Sequence, residues 1–323
     1  MIILLRPKKY KWRIIRGVFL SFFIVLFTII SFVGGQSLFS GQPQQIASAG
    51  IESAVANTIA NTTLQNSYPL RNWDIENLII QAPAAISVEM GHDTNKILFS
   101  KNETIKLPIA SLTKLMTALV ALENYSLDQK VAISGLAMTQ EGTQGNLKAG
   151  EILSVNDLLY ITLIESSNRS AYALSEVIGA ENFITTMNAT AERLGLVNTH
   201  FTDSTGLSSQ SHSTVEDLVK LSNYLFKTYP IFNQIINTKE YDLYLTNGQF
   251  HHKLVNTNKL LGVTPEVIGG KTGWTNEAKG CFMVIEKSPK EGNYIINVVL
   301  GADDRFLEIK NIIDWTKTAY AWQ

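Results

Sequence analysis

The chain has 323 residues, a formal net charge of −1, 45% apolar residues and a single cysteine, Cys281. That length holds one large domain or two ordinary ones, while the near-neutral balance lacks the basic surface that nucleic acid demands. One cysteine excludes an internal disulfide and a four-cysteine metal site, and the adjacent His251 and His252 have no acidic or cysteine partner at ligand spacing, so no metal or other cofactor is expected.

Charge is unevenly spread from the start. Residues 1–51 contain no Asp or Glu, and Arg6, Lys8, Lys9, Lys11, Arg13 and Arg16 all precede the apolar run GVFLSFFIVLFTIISFVGG. Such a run is about long enough to span a bilayer, and its basic flank places residues 1–16 on the cytoplasmic side. The expectation is a cytoplasmic tail (1–16), a transmembrane anchor (17–35) and an exported remainder. The competing reading is a cleaved signal peptide, with ASA at 47–49 as its cut site. Residues 36–75, rich in Gln, Ser, Asn, Ala and Gly, read as a tether, and 76–323 as the folded domain.

In that domain, AAISVEM and KILFSK, joined by GHDTN, predict a β-hairpin. Ser111 to Asn124 predicts a helix with apolar residues around most of its surface. SVNDLLYITLI predicts another, with Ser154 as N-cap and Asp157 completing a capping box. Further helices fit 169–178, 181–194 and 215–227. EVIGGK, GCFMVIE and YIINVVLGA predict strands, and a last helix fits 304–321. Strands, then helices, then strands and a helix describe one mixed α/β domain.

Three short patterns carry reactive groups. In a helix Ser111 and Lys114 share a face, so the amine one turn on reaches the hydroxyl near the helix N-terminus. Burial would lower the lysine pKa and make it a base; the plain alternative is a cap with a lysine that snorkels to water. Ser166 and Asn168, two apart, can face one cavity from a loop between helices. Lys271-Thr272-Gly273 closes a strand-like run, where Lys271 adds positive charge and Gly273 permits close approach of another segment. Each alone also fits an ordinary loop or turn.

Taken in order, Ser-x-x-Lys, Ser-x-Asn and Lys-Thr-Gly form the set found in penicillin-binding proteins and serine β-lactamases. LPIASLTKLMTALVALE, LKAGEILSVNDLLYITLIESSN, NTHFTDSTGL, GGKTGWTNEAKGC and VVLGADDRF resemble segments of D-alanyl-D-alanine carboxypeptidases, the low-molecular-mass penicillin-binding proteins, in the same order. The resemblance covers residues 80–320. It implies an antiparallel sheet flanked by helices, with a mostly helical subdomain beside it and the site between them. It implies that Ser111 attacks the carbonyl between two D-alanines of a peptidoglycan stem peptide, and that β-lactams inhibit covalently. Lys114 would be the base, Ser166 and Lys271 would pass the proton to the leaving amine, and Asn168 would orient substrate. The oxyanion hole would be the backbone N–H groups of Ser111 and Trp274. Thr272 and Arg305 would receive the substrate carboxylate; Arg305 equally fits a cap or salt bridge of the last helix.

The chain departs from the family where Asp-Ala usually follows the Asn: here stand Arg169 and Ser170. Many members of that family carry a β-rich C-terminal domain and a terminal amphipathic anchor; neither is expected here after Ala302, so the N-terminal helix is the expected membrane attachment. Three alternatives stay open: a DD-endopeptidase that cuts cross-links, a β-lactamase, and an inactive scaffold with the same fold. The β-lactamase reading wants a deacylating Glu in a Glu-x-x-Leu-Asn context, which Glu192 in ERLGLVN does not match.

Overall fold

The computed structural model describes residues 69–322, except positions 93, 143 and 246. The expected tail, the anchor at 17–35 and most of the tether lie outside the described residues. Among the described residues no helix is long and apolar enough to cross a membrane.

A five-stranded sheet organises the fold. Its strands are β1 (Ala84–Met90), β2 (Asn95–Lys101), β5 (Val267–Thr275), β6 (Lys279–Lys287) and β7 (Tyr294–Ala302). They run antiparallel in the order β5-β6-β7-β1-β2. Strand alternation sends residues to two different cores. Ile86, Val88, Met90, Cys281, Met283, Ile285, Ile296 and Val298 join the larger core, whereas Ala85, Phe282, Val284 and Val299 join a smaller one on the other face. With both faces covered, β1 is buried along its whole length, polar Ser87 and Glu89 included.

The larger core is filled by six helices: α1 (Thr113–Asn124), α2 (Val155–Ile164), α3 (Asn168–Glu176), α4 (Ala180–Arg193), α5 (Val215–Thr228) and α6 (Pro230–Asn237). The opposite face is covered by α7 (Arg305–Ala319) through Ile309, Ile312 and Ile313. A hairpin of β3 (Glu240–Tyr244) and β4 (Phe250–Val255) stands between α6 and β5 in the chain. The mixed α/β architecture with a helical side is the one expected from the sequence. Ser154 and Asp157 form the capping box of α2, each side chain bonding the other's backbone N–H.

Three local features depart from the sequence reading. First, residues 70–75 belong to the folded body rather than to the tether. Leu70–Arg71 pairs with Tyr320–Ala321, and the Arg71 guanidinium lies 4.9 Å from the Trp315 ring centre. Second, the chain does not enter α1 through a plain cap at Ser111. Leu107–Pro108 bridges to His212–Ser213, and Ala110–Leu112 then forms a 3₁₀ turn before the α-helix starts at Thr113. Third, α6 and the β3–β4 hairpin were not expected. Their segments are short, although Asn247-Gly248 between the two strands is a turn signal that the sequence offered.

Candidate active site

The turn that carries Ser111 is held from both sides by close backbone approach. Ala110 adopts φ 46°, a left-handed conformation costing a non-glycine residue about 1–3 kcal/mol. Two glycines permit it. A Cβ at Gly206 would stand 2.0 Å from the Ala110 carbonyl oxygen, and one at Gly273 would stand 2.9 Å from the Ser111 nitrogen. Strand β5 therefore lies directly against the backbone of Ser111. It is an edge strand, so alternate N–H groups point away from β6.

Lys114 is fully buried in the first turn of α1. Its Nζ lies 3.0 Å from Ser111 Oγ, 2.6 Å from Asn168 Oδ1 and 2.5 Å from the Thr205 carbonyl oxygen. The Asn168 amide is oriented by its other end, because Nδ2 donates to the Glu141 carbonyl at 2.8 Å. Two of the three neighbours of Nζ are thus carbonyl oxygens that can only accept. A neutral amine has two N–H donors and one lone pair. The carbonyls take the two donors and leave the lone pair for the Ser111 hydroxyl proton. Burial pushes the amine down to about 7, opposed by the negative charge of Asp203. The snorkelling alternative does not describe this side chain.

Asp203 supplies the geometry behind that contact. Its Oδ2 accepts from the backbone N–H groups of Thr205, Gly206 and Leu207 and from the Thr205 hydroxyl. The resulting turn presents the Thr205 carbonyl to Lys114. Sequence reasoning did not single out Asp203 or Thr205; the signal available was the Asp-Ser-Thr-Gly turn chemistry within NTHFTDSTGL.

The second pair is Ser166 and Lys271. Ser166 sits between α2 and α3 with φ 63°, another left-handed non-glycine residue in the site. Lys271 in β5 is fully buried, and its Nζ donates to Ser166 Oγ at 2.6 Å and to the Thr272 carbonyl at 2.8 Å. Burial first, then the charges of Lys114 and Arg305, hold it well below the ordinary lysine range. Two amines are thereby kept from being charged together, each on a serine hydroxyl.

Ser111, Ser166, Asn168, Thr272, Gly273, Trp274 and Arg305 share one cavity of about 230 Å³ with Gln144, Glu165 and Thr257. All nine residues expected in the site are therefore at or directly behind this cleft, with Lys114 and Lys271 as its buried rear wall. Thr272 Oγ1 bonds Thr257 Oγ1 at 2.8 Å. Trp274 is 54% exposed at the rim. Arg305 does not cap α7: Asp304 does, accepting from the N–H groups of Phe306 and Leu307. Arg305 makes no salt bridge among the described residues, and its Nε is buried without a partner. A cation in a helix's first turn opposes the helix dipole, so this placement favours a ligand over helix stability.

The departures at 169 and 170 are absorbed by packing. Arg169 does not line the cavity; its Nε approaches the Gln140 carbonyl at 3.5 Å. Ser170 is buried, and its hydroxyl meets Thr162 Oγ1 at 2.8 Å. His251 and His252 do have acidic partners, supplied from distant segments: Glu151 at 2.9 Å and Glu165 at 3.1 Å. Among the described residues no cluster suits a metal ion.

The sequence profile of the D-alanyl-D-alanine carboxypeptidase family, peptidase S11, matches residues 73–304. The D-alanyl-D-alanine carboxypeptidase DacF of Bacillus subtilis is 35% identical over 252 residues, which are 74% of this chain and 63% of that protein. A D-alanyl-D-alanine endopeptidase of Pseudomonas aeruginosa is 33% identical over 235 residues, 70% of this chain and 74% of that one. The chain thus spans less than two thirds of the Bacillus relative and more of the Pseudomonas one. The crystal structure of the Streptomyces K15 DD-transpeptidase superposes with a TM-score of 0.69 at 29% identity, covering 76% of this chain and 100% of that chain. The paired serines and buried lysines, the fold around them and the matched sequence all lead to one assignment: this chain belongs to the D-alanyl-D-alanine carboxypeptidase family of serine peptidases.

Proposed function

We propose that this protein is a serine-type D-Ala-D-Ala carboxypeptidase that removes the terminal D-alanine from peptidoglycan stem peptides. One observation carries the reading: Lys114 Nζ lies 3.0 Å from Ser111 Oγ with carbonyl acceptors at 2.6 and 2.5 Å, so a neutral amine there gives its two N–H groups to the carbonyls and keeps its lone pair for the Ser111 proton. In the first step Ser111 Oγ bonds to the carbonyl carbon between the two D-alanines and its proton passes to Lys114 Nζ. The oxyanion is received by the backbone N–H groups of Ser111 and Trp274, a type of contact worth about 10²–10³ in rate per donor. The C–N bond then breaks, and the leaving amine takes a proton delivered through Ser166, backed by Lys271. Free D-alanine departs and leaves an ester on Ser111. Water hydrolyses that ester to complete the cycle.

Arg305 receives the terminal carboxylate with its planar fork, helped by the Thr272 hydroxyl. Asn168 orients the acyl part. A β-lactam presents a comparable carbonyl and carboxylate, and its ring amide opens on Ser111 to leave a long-lived adduct. The basic flank and apolar run at 17–35 support a single-pass membrane anchor, with the catalytic domain on the extracytoplasmic side.

A fluorescent penicillin tests the nucleophile: wild type becomes covalently labelled, Ser111→Ala does not, and the adduct maps to Ser111 by mass spectrometry. Equal labelling of both proteins would remove Ser111 from the chemistry. The similarity to an endopeptidase supports a second reading, hydrolysis of peptide cross-links by the same groups. Muropeptide digestion separates the two: D-alanine released from pentapeptide supports the carboxypeptidase, and conversion of cross-linked dimers to monomers supports the endopeptidase.

A further inference from the structure

The catalytic cavity holds one acidic and one basic side chain among its described lining residues, Glu165 and Arg305. Arg305 is assigned to the substrate carboxylate, whereas Glu165 has no part in the chemistry derived above. Its carboxylate is nevertheless held firmly. Oε2 accepts the Gly145 N–H at 2.8 Å and faces His252 Nε2 at 3.1 Å. His252 is itself fixed by a contact of its Nδ1 with that of His251, which pairs through Nε2 with Glu151 at 2.9 Å. Oε1 takes no hydrogen bond among the described residues. A carboxylate oriented from one side and open on the other is a preorganised acceptor.

The Glu165 carboxylate has no lysine or arginine ion-pair partner among the described residues. Nor does the histidine have to cancel its charge, since a neutral imidazole donates one N–H as well as a charged one. Glu165 immediately precedes Ser166 and belongs to the same wall as Asn168 and Gln144. The loop carrying Gln144 holds the Asn168 amide through Glu141. With the substrate carboxylate on Arg305 and its acyl part beside Asn168, as in the carboxypeptidase reading, Glu165 and Gln144 line the same cavity as that acyl part.

We propose that Glu165 is a specificity-determining residue that selects substrates carrying a free amine in their acyl part. The inference rests on the carboxypeptidase reading and deepens it. The preferred substrate is a D-Ala-D-Ala-terminated peptide with opposite charges at its two ends of the cleft, a carboxylate at Arg305 and an ammonium at Glu165.

The test compares D-alanine release from Nα-acetyl-Lys-D-Ala-D-Ala and from its Nα,Nε-diacetyl counterpart. A charge-assisted hydrogen bond predicts that wild type prefers the free amine by about 10-fold or more in kcat/KM, with the preference shrinking as salt rises. Glu165→Gln brings the ratio to about 1, and Glu165→Lys reverses it when the ε-amine is succinylated. A purely structural clamp between the 140–146 loop and β4 would lower both rates together and keep the ratio, which would overturn the proposal. So would a wild-type ratio near 1, a result that needs no variant to fold and leaves the carboxypeptidase reading standing. No release from either peptide would bring down that reading and the inference with it.

Discussion

The most informative measurement is the pH dependence of acylation, because it reads the state of one buried amine. Lys114 acts as a base only when neutral. With burial holding it at about 7, the neutral fraction rises from about 10% at pH 6 to about 90% at pH 8, so the labelling rate climbs about 10-fold and then levels. A lysine titrating in its ordinary range would instead give about 100-fold over the same interval and no plateau below pH 10. The sign of the neighbouring charge gives a second arm. Asp203 favours the ammonium form, so Asp203→Asn removes an opposing influence and moves the midpoint to lower pH. Asparagine keeps an acceptor oxygen for the turn at Thr205 to Leu207, which limits the structural damage. The assay is the initial rate of covalent labelling by fluorescent penicillin at fixed ionic strength, from pH 5 to pH 9.5. A rate still rising tenfold per pH unit at pH 9 would refute the buried-base argument. A midpoint that moves up in Asp203→Asn would refute the assigned role of its charge.

Other substitutions probe separate parts of the site. Gly273→Ala places a methyl group 2.9 Å from the Ser111 nitrogen and 3.2 Å from the Ile109 carbonyl oxygen. The labelling rate should fall about 10²–10³-fold, as for loss of an oxyanion donor, with an overpacking cost of about 1–3 kcal/mol visible as a lower Tm. Arg305→Leu should lower kcat/KM about 10–100-fold for peptides ending in a free carboxylate, and far less for the corresponding peptide amides. Ser154→Ala removes the α2 capping box and should cost about 1 kcal/mol, a drop of a few degrees in Tm, without altering penicillin labelling. A labelling defect in that variant would show that α2 positions Ser166 less rigidly than its packing indicates.

Local chemistry in the sequence was enough to place most elements. The α2 capping box, the buried run of α1 and the apolar strands β6 and β7 follow from residues close together in the sequence. The reactive groups were legible only as a set, because Ser-x-x-Lys, Ser-x-Asn and Lys-Thr-Gly in that order resemble a known family while each alone also fits an ordinary loop or turn. The tertiary structure decided everything that depends on long-range approach. Ser111 and Lys271 are 160 positions apart in the chain, and only the edge placement of β5 brings that strand against the turn that carries Ser111. The Thr205 carbonyl that completes the lysine's surroundings comes from 91 residues away. The histidine pair looked partnerless because Glu151 and Glu165 reach it across the fold rather than along the chain. Sequence order records covalent neighbours and helical or strand periodicity. It does not record which backbone can approach another to within 3 Å, and in this protein that approach closes a buried lysine amine in beside the Ser111 hydroxyl.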